Sequence, residues 1–205
     1  MPHLYYVHDP MCSWCWAFRP TLKKLLHKLP DSTTYSYLLG GLAPDSDQPM
    51  APEMREKLMS IWKDIQKKLP GTEFNYEFWS SNSPRRSTYP ACRAVIAARQ
   101  MGSIYEKKMI LAIQQAYYLN ARNPSNHSTL VEIADEIGLD QTTFEEILRS
   151  APIQDELLDE IRLSRLMGIS SFPGLALNID GGYWPIPVDY HDEKRMLDTI
   201  SQISI

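Results

Sequence analysis

The sequence predicts an α/β fold: a small sheet with two packed helices, interrupted by a large all-helical insertion. Three observations carry that expectation. A complete β-α-β unit lies within the first forty or so residues. A β-β-α grammar returns after Gly168, and the chain between these two ends shows almost only helical periodicity. Removing residues 45–167 leaves an element order that closes into one sheet, so the domains expected are 1–44 with 168–205, and 45–167.

Taken in order, "HLYYV" (3–7) reads as a short buried strand, and Asp9-Pro10 ends it. A helix begins near Cys12, where Phe18, Leu22, Leu25, Leu26 and Leu29 repeat as one buried stripe. Pro20 falls inside that run, lacks an N–H and crowds the preceding turn, so a kink is expected there. "TYSYLLGGL" (34–42) is the second strand, stopped by Gly40-Gly41.

The middle is helical at 51–69, where Met54, Leu58, Ile61, Trp62 and Ile65 share a face, and at 89–102, where Pro90 opens and Gly102 closes a helix. Further helices are expected at 103–120, 129–137, 143–150 and 152–167. Thr129 with Glu132, and Thr142 with Glu145, have capping-box spacing. Residues 71–88 read as a loop with room for one extended stretch. At the end, "GLALNI", the turn "DGG" and "YWPIP" give a hairpin, and Pro185 and Pro187 push its last strand to an edge or a bulge. Residues 192–203 form the closing helix, with Met196, Leu197, Ile200 and Ile203 inward.

Composition narrows the function. Hydrophobic residues at 43% and charged residues at 22% suit a soluble globular chain with a sizeable core. A net charge of −4 gives no general pull towards nucleic acid or anionic lipid. The tract 129–148 imitates a helix-turn-helix, but its second helix carries Glu145 and Glu146 and no basic residue before Arg149. Phosphate contacts require cations, so no nucleic-acid partner is expected. No apolar run is long enough to span a bilayer, and the N-terminus lacks a secretory pattern; the expected location is the cytoplasm, without a membrane partner. In a reducing compartment three cysteines are not a disulfide framework.

The chemistry therefore centres on "DPMCSWCWAFRP" (9–20), which holds Cys12 and Cys15. Residues i and i+3 on a helix share a face, close enough for a disulfide. At the helix start, unpaired amide groups and the positive end of the dipole favour a thiolate on Cys12, the attacking species. Cys15, one turn inside, is shielded and placed to resolve a mixed disulfide. A metal site would need two further ligands from Cys92 and the five scattered histidines, and no second CxxC or HxxxH occurs, so no metal is expected. Two inert buried cysteines remain the bland alternative. Cys92 falls in register with Val95 and Ile96 and reads as a small core residue. His8 is near enough to the dithiol in sequence to tune it, but reads first as a solvated turn histidine.

Strand, "DPMCSWCWAFRP", strand, a long helical insertion and "GISSFPGLAL" together resemble the thioredoxin superfamily. More closely they resemble the DsbA-like disulfide oxidoreductases, in particular a cytosolic group described as predicted protein-disulfide isomerases with a motif such as CSWC. The likeness covers essentially the whole chain. It implies that Pro20 is the helix-kink proline, and that Phe172-Pro173 is a cis-proline dipeptide packed against the dithiol. It also implies that the Phe172 backbone hydrogen-bonds an extended substrate segment. Met11 and Trp14, with Trp16, Phe18 and Phe172, are expected to form an apolar rim, Met11 and Trp14 being its exposed part.

The resemblance also marks departures. Tyr6 stands where many relatives bury an acidic residue, which leaves the proton acceptor for Cys15 open. Asp9, Ser13 and Trp14 are the expected tuning residues. Asp9 opposes a thiolate by charge, and Ser13-Trp14 replaces the Pro-His pair of secreted oxidants, which points to a less oxidising couple. The implied activity is thiol-disulfide exchange on protein or small-molecule disulfides, without a resident cofactor, with glutathione or a thioredoxin system as redox partner. Two alternatives stand beside it. One is a glutathione-dependent isomerase or transferase of the kappa or 2-hydroxychromene-2-carboxylate type, whose relatives carry serine at the helix start. The other is a non-catalytic peptide-binding chaperone module.

Overall fold

β1 (His3–His8) runs at the centre of the sheet and pairs in parallel with β2 (Thr34–Leu39). On its other side it pairs antiparallel with β3 (Gly174–Ile179), which in turn pairs antiparallel with β4 (Gly182–Ile186). The order is β2-β1-β3-β4 in this computed structural model, which describes residues 1–204. The β3–β4 turn uses Asp180 at φ 50° and Gly181 at φ 85°, the two left-handed positions that suit a tight hairpin. Pro185 sits in β4, an edge strand, where its missing N–H costs no inner ladder bond.

Period-2 alternation turns Leu4 and Tyr6 of β1, with Leu175 and Leu177 of β3, into the core. Onto them pack Phe18, Leu22 and Leu25 of α1 (Ser13–His27) and Met196 and Ile200 of α9 (Glu193–Ile203). Each fully buried leucine in this layer contributes about 2 kcal/mol of apolar burial. The salt bridge from Lys28 Nζ to Glu193 Oε1, at 2.5 Å, ties the end of α1 to the start of α9.

The helical part comprises α2 (Pro52–Lys68), α3 (Phe78–Ser81), α4 (Tyr89–Met101), α5 (Ser103–Tyr118), α6 (His127–Glu136), α7 (Gln141–Leu148) and α8 (Ala151–Leu166). Chain contacts divide the protein into one compact unit of Met1–Gly40 with Asp159–Ile205 and a second of Gly41–Leu158. In the second unit Trp62 is the hub, stacked on Phe74 at 4.8 Å and ringed by Phe78, Trp79, Tyr117 and Tyr118. Cys92, Val95 and Ile96 are fully buried on α4, in the core role expected of Cys92.

Local details differ from the expectations. The 71–88 loop contains the one-turn α3, and its Arg85 forms a bridge with Pro49. Neither capping box forms. α6 begins two residues earlier, with Asn126 at its cap, and α7 is capped by Asp140, whose carboxylate accepts from the Thr143 N–H at 2.9 Å. Asp140 competes with Thr142 for the orphan amides at the start of α7 and takes one of them, whereas Asn126 holds the N-cap position of α6 without a side-chain capping bond.

Candidate active site

The end of β1 feeds directly into a tight turn that positions the first cysteine. Asp9 is fully buried; its carboxylate accepts from Met11 N–H at 2.8 Å and its carbonyl from Cys12 N–H at 3.0 Å. An aspartate folding back onto the backbone two residues on is a turn device. Cys12 thereby becomes the N-cap of α1, with extended backbone (φ −83°, ψ 116°) and its carbonyl already accepting from Trp16 N–H at 3.0 Å. Its side chain makes no capping bond. The thiol turns instead to the far end of the sequence and donates to Phe172 O at 3.4 Å. The Phe172–Pro173 peptide bond is cis. Cys12 is 6% exposed, so the residue is buried rather than standing out in solvent.

Cys15 lies one turn on, fully buried, and Cys12, Cys15 and Cys92 are all free thiols. Burial pushes the Cys15 thiol well up, and its side-chain hydrogen bond with Cys12 adds to the rise. The Asp9 carboxylate raises it further by charge, while a hydrogen bond from the Asp9 backbone works the other way. Tyr6 also hydrogen-bonds Cys15, so a buried phenol occupies the place where an acid was open to question; burial first, then the two cysteines, raises its hydroxyl strongly. His8 stacks on Tyr6 at 5.0 Å with nearly parallel rings and is fully buried at the end of β1. The turn-histidine expectation for His8 is corrected: β1 extends one residue further than its apolar run, and period-2 alternation carries His8 to the core face.

The structure brings Cys12, Cys15, Phe172 and Asp9 together. Ser13 is buried in the first turn of α1. Met11 and Trp14 are half-buried, and the Trp14 ring packs edge-on against Tyr190 at 5.2 Å. Trp16, Phe18 and Phe172 are buried, which leaves only Met11 and Trp14 of the expected rim at the surface. Two participants went unread in the sequence. Tyr190 packs on Trp14 and Phe18 near both cysteines, and burial raises its hydroxyl strongly. Gly40 lies under Phe172; a Cβ there would stand 2.0 Å from the ring. The Gly40-Gly41 pair signalled only a strand end, and nothing local marks Tyr190.

The raised Cys15 thiol has a pH consequence. Its folded value lies above the ordinary thiol value of about 8.5, so the unfolded chain releases that proton first as pH climbs. The reduced protein is expected to keep this stability below the ordinary thiol range and to lose it progressively above. Denaturant titration at about pH 7 and about pH 9.5 checks it, with Cys15→Ala as the control whose pH slope should be flatter. Equal slopes in the two proteins would refute the assignment.

Comparison with known proteins places these residues in context. The Thioredoxin family matches residues 5–179. A presumed protein disulfide isomerase from Nitrosomonas europaea superposes with a TM-score of 0.83 at 26% identity, covering 98% of each chain. The cytosolic disulfide reductase DsbM from Pseudomonas aeruginosa gives 0.77 at 24% identity, again with 98% of each chain, and has also been solved with GSH. Among curated proteins, the ClpXP adapter protein SpxH of Halalkalibacterium halodurans is 24% identical over 174 residues, 83% of this chain and 56% of its own. The chain thus spans about half the length of the curated relatives it matches.

Proposed function

The chain belongs to the thioredoxin family, and from that membership we propose that it exchanges disulfides through Cys12 and Cys15. One observation carries the reading: Cys12 is the N-cap residue of α1 and its Sγ lies 3.4 Å from the carbonyl that precedes cis-Pro173, with Cys15 buried one turn behind. The Cys12 thiolate attacks one sulfur of a substrate disulfide, and the other sulfur leaves as a thiolate that takes up a proton. Cys15 then gives up its proton and attacks the Cys12 sulfur. The second substrate thiol leaves, the substrate has gained two electrons, and Cys12–Cys15 is the new disulfide. Glutathione or a thioredoxin system returns the pair to dithiol; the DsbM relative solved with GSH supports the first.

Asp9 is the group we assign to receive the Cys15 proton, since it is a fully buried carboxylate whose charge acts on that thiol. The Phe172 backbone reads an extended substrate by strand-like pairing, and the half-buried Met11 and Trp14 hold its apolar side chains. We place the protein in the cytoplasm, in keeping with the cytosolic relative; among the described residues no helix is long and apolar enough to cross a membrane.

Cys15→Ser tests the order of attack. Incubated with oxidised glutathione, it should accumulate a stable adduct on Cys12, seen as a mass increase that dithiothreitol removes. No adduct, or one formed equally when Cys12 is also serine, would count against the reading. A second reading has its own support, since the SpxH relatives are adapters. It requires that a protein client bind the same face without exchange, and client binding untouched by replacing both cysteines would favour it.

A further inference from the structure

The second unit contains a cleft of about 820 Å³, lined by residues from the 45–47 turn, the 85–93 segment, the start of α6 and the α7–α8 junction. Small-molecule sites span about 300–1,000 Å³, so the volume suits an organic ligand rather than a lone ion. Its lining is unusual for a surface furrow. Three arginines, Arg85, Arg93 and Arg149, and His127 converge on it, with the serines 46, 87, 125 and 150.

The cations are not equivalent. Arg93 is committed: it grips both oxygens of Asp45 at 2.7 and 2.8 Å and donates to Gln154 at 2.7 Å. It is a wall. Arg149 and His127 share one carboxylate, Glu145, at 2.6 and 2.8 Å, and those two partners hold its carboxyl below the usual range. One acid thus serves two nitrogen donors at that rim.

Arg85 is the group with donors to spare. Its Nη2 donates to Ser125 O and to Asn126 Oδ1, which clamps the guanidinium in place. Its Nε is buried with no hydrogen-bond partner. Asp47 forms a long ion pair with it, 3.7 Å from Nη1 and beyond hydrogen-bond range, through a side chain that is fully exposed. A guanidinium has five N–H donors in a rigid fork, so this one is oriented but largely unsatisfied.

The frame beneath it is rigid. Ser125 Oγ donates to Ser87 O at 2.6 Å, and Ser87 Oγ accepts from Ser46 N–H at 3.3 Å. Helices α4, α6 and α8 all begin at this cleft, through Pro90, His127 and Ala151, and none carries an acidic residue in its first turn. Their open amide ends add to the same sign of potential as the arginines. A metal cation would meet that potential with Asp45 already taken.

We propose that this cleft binds a small organic anion, its phosphate or carboxylate group held by Arg85, with Arg149 and His127 at the rim. The site is independent of the dithiol. Nitrogen-15-labelled protein at low ionic strength, titrated with inorganic phosphate in one arm and citrate in the other, should show saturable shifts at the amides of Ser46, Ser87, Ser125 and Ser150. The arm with the tighter response identifies the recognised group. Arg85→Gln should weaken binding at least about tenfold, as loss of a charged hydrogen-bond donor does, and Arg149→Gln should weaken it by less. Arg149 is 67% exposed, so its variant keeps the test valid if Arg85→Gln does not fold. Cys12→Ser should bind like the parent. No saturable shift with either anion, shifts centred elsewhere, or parent affinity in every arginine variant that folds would overturn the proposal.

Discussion

Cys12→Ser is expected to fold and to lose disulfide exchange by at least about 10³-fold, because a hydroxyl cannot replace a thiolate as the attacking sulfur. The folding half of the expectation follows from where the residue sits. Position 12 is the N-cap of α1 with extended backbone, a place serine suits better than cysteine. The bond the native side chain makes across the fold, to Phe172 O at 3.4 Å, is one a serine hydroxyl can approach. Turnover in an insulin-disulfide reduction assay, beside an unchanged melting temperature, separates lost chemistry from lost structure. Cys92→Ala, in the core of the helical unit, provides the cysteine control that should remain active. Activity of Cys12→Ser within about tenfold of the parent would remove the thiol from the mechanism.

Gly40→Ala should damage the same site from beneath. The added methyl would stand 2.0 Å from Phe172 Cε1 and 2.1 Å from Cζ. The backbone cannot simply withdraw, since Gly40 N–H donates to His8 O at 2.7 Å and continues the β1–β2 pairing. Phe172 must therefore move, and its carbonyl is the acceptor for Cys12. Overpacking of this kind costs about 1–3 kcal/mol, and misplacing a substrate-positioning group by an ångström costs up to about 10²-fold in rate. Combining Gly40→Ala with Phe172→Ala should restore stability towards that of Phe172→Ala alone, since the clash then has no second partner. A Gly40→Ala protein with parent melting temperature and kcat/KM would show that the ring has room to spare.

Legibility varied with the range of the interaction. The Phe18, Leu22 and Leu25 stripe, the Asp180-Gly181 turn and the edge position of the Pro185 strand were all readable, because periodicity and turn chemistry act over a few residues. Cap positions were less so. Asp140 precedes Thr142, which had capping-box spacing, and spacing alone does not say which polar residue reaches the amides first. His8 was misread because a strand's final residue belongs to the strand only if its neighbour pairs with it, and Leu39 does.

By itself the sequence determined the α/β class, the CxxC pair at a helix start and the candidate status of Phe172-Pro173, each a matter of local spacing or of a recognisable motif. Tertiary structure alone decided which groups meet the dithiol. Cys12 and Phe172 are 160 residues apart, and Gly40, Tyr6 and Tyr190 join them only because β1 lies between β2 and β3 in a single register. A slip of one residue would turn Tyr6 and His8 to the opposite face and leave Cys15 without its phenol. Proximity of that kind is set by pairing between distant segments, and no window of adjacent residues contains it.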